Sequence, residues 1–122
     1  MIVIPCSGIG KSLGSVTREV AYNLQRNRKD VKVLCLGSLT AGDEKSISEI
    51  RDKMVFTIDG CKKFCAQKNV EHYSGKLAKS TLVLDYLKDT GLNPKGVIEL
   101  NDDGKKLVKI ISDEISKKID GV

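Results

Sequence analysis

Four cysteines carry the chemistry open to this chain: Cys6, Cys35, Cys61 and Cys65. An apolar run over residues 54–58 ends at Asp59, is broken by Gly60, and gives way to Cys61. Cys61 and Cys65 stand four residues apart, so a helix beginning at Cys61 places both thiols on one face. The first turn of such a helix offers free backbone N–H groups and the positive end of its dipole, which favour a thiolate. Four thiolates suit tetrahedral zinc or an iron–sulfur cluster, and spacing alone does not separate the two. The competing reading is a set of small buried hydrophobes, because free cysteine is among the most buried residue types. Cys35, inside an apolar run, fits that reading best. Asp59 caps the helix that follows it or accepts a hydrogen bond behind a metal ligand, capping being the simpler role.

Positioning these thiols requires strands and helices. Residues 1–4, 31–36, 54–58 and 80–85 read as strands. Between them lie helical stripes. Leu13, Val16, Val20 and Leu24 share one face of a helix over 12–27, with Ser12 and Ser15 as candidate caps. Residues 37–42 read as a loop, 43–53 as a short helix and 61–71 as a third helix, followed by a break at Ser74 and Gly75. Residues 77–87 also fit a helical period through Leu77, Leu84 and Leu87, although Thr81 and Val83 favour strand. Residues 97–100 form a short strand or a loop. Asn101, Asp102 and Asp103 cap a last helix striped by Leu107, Ile111, Ile115 and Ile119.

This alternation predicts an α/β fold: a single three-layer, Rossmann-like domain over 1–122 with a mostly parallel sheet of at least four strands. The first strand is expected to be central. Right-handed crossovers put every strand's carboxyl end on one edge, where open α/β folds bind ligands. Cys6, Cys35 and Cys61 each fall at or just past such an end, so cysteines distant in sequence meet on one rim.

Composition removes other classes. At 40% hydrophobic and 30% charged residues, the 122-residue chain is a globular one rather than a disordered one. It has no apolar run of membrane-spanning length, and its short apolar start reads as a strand rather than a signal core. A cytoplasmic location without membrane contact is the default, and there thiols serve metals or redox chemistry more than disulfides. The net charge of +5 invites nucleic acid, but five aromatics without tryptophan make poor stacking platforms, so no nucleic-acid partner is expected. The one histidine, His72, follows the third helix, away from the rim, and is expected to be solvent-exposed.

The segment 5–12 ends in Gly10-Lys11-Ser12 after a strand and before a helix, as a phosphate-binding loop does. Pro5 stands where that loop needs its first glycine. Proline lacks an N–H and fixes φ, so nucleotide hydrolysis is not expected, while simple anion binding at the first helix's start stays open.

Three blocks resemble the DGC-domain family, named for its Asp-Gly-Cys motif and regarded as zinc-binding. They are Pro5-Cys6-Ser7-Gly8, Leu34-Cys35-Leu36-Gly37 with Gly42, and Ile58-Asp59-Gly60-Cys61 with Cys65-Ala66. The resemblance implies zinc held by Cys6, Cys35, Cys61 and Cys65. Many members carry a further cysteine where this chain has Asn69, which excludes a fifth thiol here. The expected function is that of a metal-binding accessory or sensor module. The alternative is a carrier or transferase of sulfur or a related soft species, with Cys61 as nucleophile. The metal ion is the expected partner, and the sequence names no protein partner.

Overall fold

A computed structural model describes the chain apart from Ser7, Ile9, Ser74, Val122 and the side chain of Ala78. The elements follow in the order β1 (Ile2–Pro5), α1 (Ser12–Asn27), β2 (Lys32–Val33), α2 (Leu36–Thr40) and α3 (Glu44–Ile50). β3 (Met54–Asp59), α4 (Cys65–His72), β4 (Lys76–Leu82), α5 (Val83–Thr90) and α6 (Asp102–Asp120) complete it. The four strands form one parallel sheet in the order β2-β1-β3-β4, so β1 is internal, as expected.

Strand alternation builds the three layers. Val3, Phe56 and Ile58 face a core shared with Val16, Val20 and Leu24 of α1 and Leu107, Ile111, Ile115 and Ile119 of α6. Ile2, Ile4 and Val55 face the opposite core, with Leu36 and Leu39 of α2, Ile50 of α3, and Ala66 and Val70 of α4. Every residue of the predicted α6 stripe is buried. Asn101 caps that helix, its Oδ1 accepting from Gly104 N at 2.9 Å. The far ends of α1 and α6 are tied by Arg28, which donates to Ser116 Oγ and pairs with Asp120 at 2.8 Å.

Several boundaries differ from the sequence expectation. The second strand is two residues long and lies at the sheet edge. The chain then leaves the sheet, and α2 replaces both the strand's end and the expected loop, burying Leu36 and Leu39. The fourth strand starts earlier and stops at Leu82. Its register against β3 shifts between Val55 and Phe56, which offsets the period-two pattern. Leu84 and Leu87 belong to α5, so the helical reading holds for that half of 77–87. Residues 97–100 form a loop that brings Leu100 into the core. The break expected at Ser74 and Gly75 falls partly outside the described residues.

Among the described residues, no helix is long and apolar enough to cross a membrane.

Candidate functional site

β1 delivers Cys6 to the carboxyl edge. Its backbone N–H donates to Ile58 O at 2.8 Å, which extends the β1–β3 pairing by one step past Pro5. The thiol is half-buried, and that burial pushes its pKa up. Hydrogen bonds from the backbone of Gly8 and Gly60 pull the other way, while the charges of Asp59 and Cys65 add to the rise.

Two glycines let this loop sit where it does. A Cβ on Gly14, in the first turn of α1, would run into the backbone of Gly8. A Cβ on Gly60 would lie 3.0 Å from Leu13 Cβ and 3.3 Å from Leu13 O. The Cys6 loop, the start of α1 and the turn after β3 are packed backbone to backbone.

The signature stretch folds differently from the expectation. α4 begins at Cys65 rather than Cys61, and Cys61 lies in the turn before it. The reason lies at Phe64, which takes the left-handed conformation at φ 51°, ψ 44° and prevents an earlier helix start. The shared helical face of Cys61 and Cys65 is thus not formed, and the helix N-terminus belongs to Cys65. Asp59 does cap, from six residues upstream of the first helical residue. Oδ1 accepts from Ala66 N at 2.8 Å and Oδ2 from Gln67 N at 3.2 Å, which satisfies two of the free donors of α4. Its burial raises its pKa, against those two hydrogen bonds and Lys68, which lower it. Asn69 donates from Nδ2 to Cys65 O at 2.8 Å.

Cys35 corrects the buried-hydrophobe reading. It stands two residues past β2 as the N-cap of α2, and it is exposed. The edge strand ends too early to carry it into the core. Its sulfur lies over Gly37, 3.5 Å from where a Cβ would be. Cys6, Cys35 and Cys65 line one cleft of about 740 Å³ at the carboxyl edge. Cys61, half-buried in the adjoining turn beside the exposed Lys62 and Lys63, is not among the residues lining it. All four thiols are free.

The donor set is all sulfur, which suits zinc or an iron–sulfur cluster. As the thiols stand, no group of three or more His, Cys, Asp or Glu among the described residues is gathered closely enough to hold an ion. His72 is exposed at the end of α4, the end away from the rim.

Of the loop that resembles a phosphate cradle, Ser7 and Ile9 lie outside the described residues. Pro5 is a member of the β1 ladder, paired with Ile58, and Lys11 is the exposed N-cap of α1.

The sequence reading missed one wall of the cleft. Arg18, Tyr22 and Gln25 line it from α1. Their spacing of four and three residues is a second stripe beside the apolar one, and it was legible as such.

No curated protein and no solved structure matches this chain. Residues 2–111 match the family model of the DGC domain, so that the strands, the glycine-packed turns and all four rim cysteines fall within the match, and the chain belongs to the DGC-domain family.

Proposed function

We propose that the thiol rim is a soft-metal centre, with zinc as the ion and Cys6, Cys35, Cys61 and Cys65 as its ligands, in a protein that serves as a metal-binding accessory or sensor module. One observation carries the reading: every cysteine of the chain lies at the carboxyl edge of the sheet, three of them on one cleft. Buried-hydrophobe roles would scatter them through the cores, yet none of the four is fully buried. Because the thiols are not gathered in advance, metal binding draws them together, and part of the binding energy goes into ordering the loops that carry them.

The transferase alternative used Cys61 as a nucleophile activated by a helix N-terminus. That activation is gone, since Cys61 precedes the helix by four residues.

Elemental analysis of protein purified without added metal tests the reading. One zinc per chain is expected, lost in Cys6→Ser and in Cys65→Ser with the fold retained by circular dichroism. Iron with acid-labile sulfide would replace zinc by a cluster, and metal-free protein that takes up neither would refute the centre.

A further inference from the structure

A second cleft, of about 540 Å³, runs between α1 and α6 and is bordered by the loop that leads into α6. Leu100, which is buried, and Val108, which packs on the core beneath, give it an apolar floor. Ile98 stands on its rim and is wholly exposed, at 100%. The loop is fixed on both sides of Ile98. Gly96 takes φ 98°, and a Cβ there would run into Glu99 O. The buried Ser15 Oγ donates to Val97 O at 2.6 Å, and Asn101 N donates to Lys95 O at 2.9 Å. Ile98 is therefore held out in advance, and burying it on a partner needs little further ordering of the loop.

The charges around the cleft decide the partner. Two ion pairs are already made within it, Arg26 with Glu19 at 4.0 Å and Lys105 with Glu99 at 3.7 Å. Lys109 and Asp113 make no ion pair with a described side chain, and neither does Arg18, whose Nη2 donates to Ser15 Oγ at 3.2 Å. A uniformly acidic partner would meet the carboxylates here and a uniformly basic one the cations, and like-charge contacts are costly. A second copy of the chain brings both signs. It also brings the same knob beside the same hollow, and in a two-fold pair residue i meets j while j meets i.

We propose that the α1–α6 face is a two-fold dimer surface, with Ile98 of each copy seated in the cleft of the other, over Leu100 and Val108. The proposal goes beyond the metal centre and involves none of the thiols.

Sedimentation equilibrium of the full chain from low to high micromolar concentration tests it, under a reducing agent so that no disulfide joins two chains. A monomer–dimer equilibrium is expected. Ile98→Glu should raise its dissociation constant about a hundredfold, because symmetry removes the anchor twice at about tenfold each. The fold should not suffer, since that side chain is wholly exposed in the single chain. Ile98→Leu should keep the dimer. So should Met54→Glu, an exposed apolar position at the start of β3, on the opposite edge of the sheet. Asp113→Arg leaves both clefts with an excess of cations, so its dimer should be weaker than the native one at low salt and recover as salt screens the repulsion. A native chain that stays monomeric throughout would overturn the proposal. So would a dimer untouched by Ile98→Glu, an equal loss in Met54→Glu, or an Asp113→Arg dimer as tight as the native one at low salt. None of these outcomes bears on metal content, so the thiol centre stands or falls separately.

Discussion

Asp59 holds the start of α4, the helix that opens with Cys65. Its side chain is buried and its two oxygens hold two N–H donors of α4, so removing it strands both donors. Asp59→Ala should lower unfolding free energy by about 2–4 kcal/mol in urea titration, the loss of two charge-assisted hydrogen bonds in a buried place. Asp59→Asn should lose less, because the amide oxygen can still serve one of them. The capping role was legible from the Asp-Gly-Cys order alone. The helix start was not, because nothing in the local sequence announces that Phe64 takes a left-handed conformation and delays the helix to Cys65. The strand expected over 31–36 ends early for a related reason: Leu36 and Leu39 bury themselves from a five-residue helix rather than from a strand, which leaves Cys35 exposed at its N-cap.

At the scale of elements, the site depends on three segments meeting without side chains between them. Gly14→Ala puts a methyl against the Gly8 backbone, and α1 cannot shift without disturbing the core beneath it. The Cys6 loop must therefore move. Gly14→Ala should cost metal affinity in a competitive chelator titration by a larger factor than Gly37→Ala, where the added Cβ meets the Cys35 sulfur at an ordinary 3.5 Å. Equal effects would separate the Cys6 loop from the site. On the opposite face, Asp43 caps α3, accepting from both the N–H and the hydroxyl of Ser46, and these bonds lower its pKa. A lowered folded-state pKa means stabilisation that is complete above the unfolded value of about 3.9 and is lost as pH falls through the folded value. The melting temperature of Asp43→Ala should accordingly lie below that of the native protein at neutral pH. The gap should close as pH drops below the usual carboxylate range, and a gap independent of pH would show that the carboxylate charge plays no part. Long, strongly periodic elements such as α1 and α6 were readable from their stripes, while β2, α2 and β4 were set by sheet edge and register, which no local window contains.

The whole molecule is a four-stranded parallel sheet between two helical layers, and the layers have different work. The α1–α6 side is the larger core. Ile111→Ala, at a fully buried position in it, should destabilise by about 2–5 kcal/mol in urea titration. It should leave the thiols' metal uptake unchanged while the protein remains folded. The other layer, α2 and α4, carries Cys35 and Cys65 at its helix starts, so its looseness or order bears on the site itself. The parallel topology was the most informative part of the sequence reading, since it put the ends of β1, β2 and β3, and with them Cys6, Cys35 and Cys61, on one edge, although no three such groups among the described residues are gathered closely enough to hold an ion. What it could not supply was the cleft between α1 and α2, which arises only when a short edge strand lets the chain turn away. X-ray absorption at the zinc edge, on protein purified without added metal, tests the proposed centre most directly. Four sulfur scatterers at about 2.3 Å are predicted, the distance of zinc–thiolate bonds. A first shell of nitrogen and oxygen at about 2.0–2.1 Å, or no zinc edge at all, would contradict it.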